Sequence, residues 1–154
     1  MQIKSDKKSH WNKFYKKFKL QSESSFSKFV IRWLQNNQFE IRGKNLIDIG
    51  CGNSRDTKYF KKKKLDVVGI DQSFTAIELN KKNYPNIEFY NKNICRKNFN
   101  LKNKKFNYLY ARFFLHAISS TEETILLKNC EKISKKNSIL IFEFRNIQDS
   151  LMNK

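Results

Sequence analysis

The stretch LIDIGCGNSRD at 46–56, followed by VVGID at 67–71, decides the fold of this chain. Both segments begin with an apolar run typical of a buried strand, and the first run ends in a turn that contains Gly50 and Gly52. Glycines at a strand-to-helix turn let a ligand approach the backbone, and an acidic residue about 20 positions further on can bind ribose hydroxyls. Asp71 lies 19 residues after Gly52. The pattern therefore predicts a site for a cofactor that contains a nucleoside.

The spacing of the glycines indicates which kind of cofactor fits. A dinucleotide-binding turn has the pattern G-x-G-x-x-G, whose third glycine lets the helix approach and bind the pyrophosphate. Counted from Gly50, that third position is the bulky Arg55. Asp48, two residues before the first glycine, would repel a pyrophosphate and would suit a cationic ligand. S-adenosylmethionine, with its ammonium and sulfonium groups, is such a ligand.

This segment resembles the first motif of the class I S-adenosylmethionine-dependent methyltransferases, D/E-x-G-x-G-x-G. Asp48, Gly50 and Gly52 match the motif, and Ser54 stands where the family has its third glycine. The resemblance implies an α/β fold with a Rossmann-like, mostly parallel sheet and helices on both faces. It also implies S-adenosylmethionine as the cofactor and methyl transfer as the reaction.

The resemblance further implies which residues hold the cofactor. The glycine turn would pass beneath the methionine part, and Asp48 would orient its amino group. Asp71 matches the acid that binds the ribose, and Asn93, after the third strand, stands where relatives often have an aspartate that contacts adenine. Structural roles remain open: amide capping for Asp48, a helix N-cap for Asp71 and a plain loop residue for Asn93. The implied cofactor-binding residues are Asp48, Gly50, Cys51, Gly52, Asp71, Gln72, Asn93 and Ile94.

The stretch YLYARFFLHAI at 108–118 carries the candidate catalytic residues. It resembles a subgroup of these methyltransferases with R-F-F-L-H-A-I after the fourth strand, some of which modify polysaccharides and other small molecules. Ligands of open α/β sheets lie at the carboxyl ends of the strands, so Arg112 and His116 are expected beside the cofactor. Arg112 could hold an anionic group of the acceptor. His116 could remove a proton from an acceptor hydroxyl, or it could simply fix the loop after the strand.

Strand-like and helix-like segments alternate along the chain, which predicts a parallel sheet. An amphipathic helix precedes the strands, with Phe26, Phe29, Val30, Trp33 and Leu34 at helical spacing and Ser24 or Ser25 as its cap. A capping box formed by Ser120 and Glu123 marks a helix before the last strand. We expect a leader and capping helix at 1–40 and the cofactor-binding domain at 41–154. The predicted strands lie at 46–50, 66–70, 87–90, 106–111 and 138–144.

The carboxyl end departs from the family pattern. Class I methyltransferases usually have seven strands, and this sequence stops at Lys154, about ten residues after its fifth strand. We therefore expect the last two strands to be missing and the edge of the fifth strand to be open to self-association or to a complementing chain. A non-catalytic remnant that binds the cofactor and needs a partner chain is an alternative function.

The formal net charge of +18 raises the alternative of an RNA methyltransferase. Codon bias explains the charge more simply, because the chain has 26 Lys and 18 Asn but only 6 Arg, 4 Gly and 1 Pro. Lysine is also poorer than arginine at bidentate recognition of phosphate or guanine. We therefore expect only non-specific binding to nucleic acid, with a small molecule or saccharide as the acceptor.

Cysteine use and hydropathy indicate where the protein works. Cys51, Cys95 and Cys130 are scattered, odd in number and without the spacing of metal ligands, which is typical of reduced thiols. No apolar run approaches the ~18 residues of a membrane span, and the first residues lack the apolar stretch of a signal peptide. A cytoplasmic protein without a metal centre or membrane partner is expected.

Overall fold

The computed structural model describes residues 21–145, so the leader predicted for 1–20, including His10, and the residues after 145 lie outside the described part. The helices are α1 (Ser25–Asn36), α2 (Arg55–Lys62), α3 (Phe74–Asn83) and α4 (Ser120–Ile133), with a short 3₁₀ turn at Leu115–Ala117. The strands are β1 (Asn45–Ile49), β2 (Asp66–Asp71), β3 (Glu88–Asn91), β4 (Phe106–Arg112) and β5 (Ser134–Glu143).

The five strands form one parallel sheet in the order β3-β2-β1-β4-β5. The chain first adds strands on one side of β1 and then crosses to the other side between β3 and β4. Ligands of open α/β sheets bind at such a switch point, outside the carboxyl ends of the strands. The Rossmann-like α/β fold predicted from the sequence is confirmed, and β1, β2 and β4 bring their carboxyl ends to one edge.

Both faces of the sheet are covered, as expected for parallel strands. Alternate residues of β1 enter different clusters: Leu46 packs with α1 and α2, whereas Ile47 packs with α4. Helix α1 buries the stripe Ser27, Val30, Ile31 and Leu34. The predicted face is right at Val30 and Leu34. It is wrong at Phe29 and Trp33, which are 50% and 38% exposed. The capping helix therefore belongs to the same core as the sheet. Within residues 21–145, no helix is both long and apolar enough to cross a membrane.

The starts of the last helix and of the last strand differ from the prediction. Helix α4 is capped by Ser119, whose hydroxyl accepts from the Glu122 N–H, while the Glu122 carboxylate accepts from the Ser119 N–H. The predicted pair, Ser120 and Glu123, is one residue too late. The sequence SSTEE contains both registers of the motif, and the first is used because Ser119 is the last extended residue before the helix.

Strand β5 begins four residues before its predicted start. Ser134 pairs with Phe106 and Ile139 pairs with Tyr108, so three additional residues of β5 lie between these two pairs. Asn137, within this bulge, has a left-handed φ of 62°. The bulge carries exposed lysines and has no apolar alternation, which is why the sequence pattern detects the strand only beyond it.

Candidate cofactor site

The glycine turn after β1 is fastened to the end of β2 by its own amides. Gly50 N–H and Cys51 N–H both donate to the Ile70 carbonyl, at 2.9 and 3.0 Å. Gly52 N–H donates to the Asp71 carboxylate at 3.0 Å. Gly50 and Gly52 have left-handed φ values of 72° and 50°, which glycine adopts without strain. The turn therefore directs its amides toward β2, and these three are already occupied.

Gly50 is also required for close packing with the loop after β4. A Cβ atom at this position would lie 2.7 Å from the ring of Phe114, closer than any real contact. Phe114 packs against the core cluster that contains Ile47 and Ile49. The first glycine thus brings the loops after β1 and β4 together at the carboxyl edge of the sheet.

Asp71 joins the glycine turn to the start of α3. One carboxylate oxygen accepts from Gly52 N–H and the other accepts from Ser73 N–H at 2.8 Å. Burial raises the pKa of Asp71, and the bonds from the Ser73 and Gly52 amides lower it. Ser73 itself caps α3, because its hydroxyl accepts from Ala76 N–H. The Gln72 amide bonds the same carboxylate, and because a carboxylate offers about four acceptor positions, it can still accept a bond from a ligand.

Asp48, in β1, is buried and bonded to the first turns of α2. Its Oδ2 accepts from the Thr57 hydroxyl at 2.6 Å. Burial raises its pKa to about 8, and the charges of Asp56 and Asp71 add to this while the Thr57 hydroxyl opposes it. The amide-capping alternative has support here, because the Thr57 backbone also bonds this carboxylate. A nearby cation would restore the ionised form of Asp48.

A third buried carboxylate, Asp56, was missed by the sequence analysis. It accepts from Ser24 N–H and the Ser24 hydroxyl at 2.7 and 2.8 Å, and from the Tyr110 hydroxyl at 2.8 Å. It therefore ties the cap of α1 to the first turn of α2 and to β4. An acidic residue in the first turn of a helix is ordinary, and its partners are 32 and 54 positions away, so nothing local in the sequence signals this role.

Two buried asparagines hold the loops of the site, and they too were missed. Asn80 of α3 is fully buried and donates to the Gly52 carbonyl at 2.7 Å. Asn129 of α4 is 1% exposed and donates to the carbonyls of Ile94 and Arg96 at 2.6 and 2.9 Å. Each amide lies on the buried stripe of its helix. A polar residue at helical spacing among apolar ones was the available signal.

The loop after β3 places the predicted adenine contacts near Asp71. The Asn93 Oδ1 accepts from the N–H of Cys95, two residues later, at 2.8 Å. Its Nδ2 donates to the Gln72 side-chain oxygen at 3.4 Å. Ile94 is buried in the core and its carbonyl accepts from Asn129, so neither its side chain nor this oxygen faces a ligand freely. Cys51 is buried behind the turn, and burial raises the pKa of its thiol well above the usual range.

The two candidate catalytic residues lie together around the ring of Phe113. The Arg112 guanidinium lies 4.0 Å from the ring centroid, and its Nε is 2.5 Å from Glu143 Oε2, in an ion pair whose angle does not suit a hydrogen bond. The His116 ring is exposed and its centroid is 5.7 Å from that of Phe113. Arg145 approaches the same ring at 5.1 Å. Glu143 therefore competes with any anion for Arg112.

The fold is an α/β sheet with a topological switch point, and the candidate site lies at the carboxyl edge where such sheets bind ligands. The family model described as "Methyltransferase domain" matches residues 46–137. The chain belongs to this methyltransferase domain family, and the family predicted from the sequence is confirmed.

Known proteins resemble parts of the chain or its fold. "Putative methyltransferase 235L" of Invertebrate iridescent virus 6 is 29% identical over 118 residues, which are 72% of this chain and 43% of that protein. The chain thus spans less than half the length of this curated relative.

Solved structures with low sequence identity share the fold. An S-adenosylmethionine-dependent methyltransferase from Clostridium acetobutylicum superimposes with a TM-score of 0.69 at 15% identity, covering 90% of this chain and 57% of that one. The sugar N-methyltransferase KedS8 from Streptoalloteichus superimposes with a TM-score of 0.71 at 12% identity, covering 91% and 55%. At these identities the likeness establishes the fold alone.

Proposed function

We propose that this chain binds S-adenosylmethionine and transfers its methyl group to a small-molecule or carbohydrate-like acceptor. The observation that carries the proposal is Asp71, a buried carboxylate at the end of β2 that is bonded to the glycine turn. The amides of Gly52, Ser73 and Gln72 fix this carboxylate, and its remaining acceptor capacity suits a ribose hydroxyl. Membership in the methyltransferase family supports the same cofactor.

The charge at this edge favours a cationic cofactor over a dinucleotide. Asp48, Asp56 and Asp71 are buried and close enough for Asp56 and Asp71 both to raise the pKa of Asp48. A pyrophosphate needs free amides at a helix N-terminus, whereas the amides of Gly50, Cys51 and Gly52 are bonded to β2 and Asp56 adds negative charge. We infer that the ammonium of the methionine part lies on the Asp48 side of the turn.

Methyl transfer from a sulfonium is a direct displacement, so catalysis depends mainly on holding the acceptor atom, the methyl carbon and the sulfur in line. His116, exposed beside the carboxyl edge, is our candidate for removing the acceptor proton. Arg112 is the candidate for an anionic group of the acceptor, which would displace Glu143 from it. KedS8 is described as a sugar N-methyltransferase, and MtfA as a glycopeptide N-methyltransferase, which fits an acceptor of this kind.

Calorimetric titration of the protein with S-adenosylmethionine, S-adenosylhomocysteine and NAD tests the cofactor. We expect saturable binding of the first two and none of NAD. Saturable NAD binding with no response to S-adenosylmethionine would overturn the proposal. Incubation with methyl-labelled cofactor and a panel of amino sugars, hydroxylated sugars and small acids then tests the acceptor class, with transfer lost in His116→Ala if His116 is the base.

A further inference from the structure

Asn80 bonds with most of the turn that follows β1. Its Nδ2 donates to the Gly52 carbonyl at 2.7 Å and lies 3.9 Å from Cys51 Sγ. Its Oδ1 accepts from the Ser54 hydroxyl at 3.0 Å. One fully buried side chain on α3 therefore contacts three of the four residues from 51 to 54.

Ser54 has a backbone conformation that a serine does not favour. Its φ is 55° and its ψ is 20°, in the left-handed region, where a Cβ atom is crowded by the following carbonyl. Ser54 is the residue before α2, yet its hydroxyl makes no cap bond to that helix. The hydroxyl donates to Asn80 instead. The strained residue and the buried amide thus stabilise each other.

Asp71 holds the amide of Gly52, and Asn80 supplies the buried side-chain bonds to the Gly52 carbonyl and to Ser54. Two of its four residues are glycine or serine at positive φ, which glycine enters without cost and serine does not. A buried amide is itself unfavourable unless its groups are bonded, and a leucine would fill the same stripe of α3 without that requirement. A buried asparagine at position 80 is therefore explained by its bonds to the Gly52 carbonyl and the Ser54 hydroxyl.

We propose that Asn80 is a positioning residue for the methyl donor, acting through Gly52 and Ser54. The bond from the Ser54 hydroxyl to Asn80 stabilises the left-handed backbone at position 54, which a glycine would adopt without help. The inference rests on the proposed function, since the turn is the part of the site that would contact the cofactor. Substitution of Asn80 should therefore weaken cofactor binding although Asn80 itself does not contact the cofactor.

The test is calorimetric titration with S-adenosylhomocysteine of wild type, Asn80→Leu, Ser54→Ala and Ser54→Gly. Asn80→Leu should bind at least 10-fold more weakly, because both Gly52 and Ser54 lose their partner. Ser54→Ala keeps the unfavourable φ without the bond and should bind about 5-fold more weakly. Ser54→Gly should stay within 2-fold of wild type, because glycine adopts this φ freely.

A stability control separates positioning from general loosening of the fold. Ile31→Ala removes a buried side chain of α1 from a core cluster that contains no residue of α3, and it should lower the free energy of unfolding while leaving the affinity unchanged. The inference is overturned if Ser54→Ala binds like wild type, if Ser54→Gly loses as much as Ser54→Ala, or if affinity falls equally in Ile31→Ala. The Ser54 pair decides the matter even where Asn80→Leu does not fold. Wild type that does not bind S-adenosylhomocysteine would instead refute the proposed function.

Discussion

Asp71 is the residue on which cofactor binding should depend most. Asp71→Ala should weaken S-adenosylmethionine binding by about 1–3 kcal/mol, because the ribose hydroxyls and the Gly52 amide lose a charged acceptor. Calorimetry on wild type and variant measures the difference. Asp66→Ala, at the exposed start of the same strand, is the matched control and should bind like wild type. Equal affinities for Asp71→Ala and wild type would remove Asp71 from the site.

Asp48 should make the stability of the cofactor-free protein depend on pH. Its folded pKa of about 8 is above the unfolded value near 4, so the folded state holds a proton that the unfolded state has released. The proton on Asp48 therefore contributes to the free energy of unfolding. This contribution is complete below pH 4 and is lost as the pH rises to about 8, by at most about 1.4 kcal/mol per pH unit.

Asp48→Asn should remove this pH dependence. Its amide oxygen can still accept from the Thr57 hydroxyl, and it carries no proton that titrates. Urea unfolding at pH 5, 6, 7 and 8 should show the variant gaining stability relative to wild type at each step. A constant difference between the two proteins across these pH values would mean that Asp48 is ionised throughout.

The sequence predicts site residues well where the signal is local. Gly50, Gly52 and Asp71 follow from one strand-turn-helix pattern, and the structure brings them into contact. Asp56 and Asn80 could not be inferred in this way, because their partners are supplied by segments 26 to 54 residues away. Whether Arg112 and His116 act in catalysis remains a prediction, which the geometry permits but does not test.

At the scale of elements, two overlapping capping boxes are possible at the start of α4, and the structure uses the one that begins at Ser119. Ser119→Ala should lower the free energy of unfolding by about 1 kcal/mol, because Glu122 N–H loses its cap. Ser120→Ala is the control and should change it by less than about 0.5 kcal/mol, since the Ser120 side chain has no part in the capping box. Thermal or urea unfolding compares them. A larger loss for Ser120→Ala would restore the register predicted from the sequence.

Elements were predicted best where apolar periodicity is strong. The apolar cores of β1, β2 and β4 lie within a residue of their predicted bounds, because each is buried on both faces. The first half of β5 escaped prediction, since its residues KKN at 135–137 pair little and point to solvent. The buried face of α1 was predicted wrongly in part, because the large aromatic residues Phe29 and Trp33 fit a helical spacing although they are not among the buried residues of the helix.

At the scale of the whole molecule, the two ends of the sheet carry different sets of charged side chains. The buried carboxylates Asp48, Asp56 and Asp71 lie toward the carboxyl edge. At the amino edge, a cavity of about 340 Å³ is lined by Lys61, Lys104 and Lys105 together with Asp66 and Glu88. The acids there are paired, at 3.4 Å between Lys61 and Asp66 and at 2.9 Å between Lys104 and Glu88.

Among the described residues, the lysines of the amino edge can attract nucleic acid non-specifically at a distance from the glycine turn. Lys62, Lys63 and Lys64 follow at the exposed end of α2, which runs back toward the amino edge, and the chain carries a net charge of +18. We expect RNA to bind weakly, without sequence preference, and to dissociate steeply between about 50 and about 300 mM salt, because counterion release drives such binding. Filter binding with unrelated RNAs of equal length measures both the slope and the preference.

Replacing Lys62, Lys63 and Lys64 with glutamate should then reduce RNA binding and its salt dependence together, since fewer phosphates are neutralised. The affinity for S-adenosylhomocysteine should not change, because these residues lie at the far end of α2 from the glycine turn. An RNA methyltransferase would behave differently: one structured RNA would bind tightly at about 300 mM salt, and its binding would respond to substitutions at the carboxyl edge. Binding of that kind, competing with the saccharide acceptors, would replace the small-molecule acceptor with RNA.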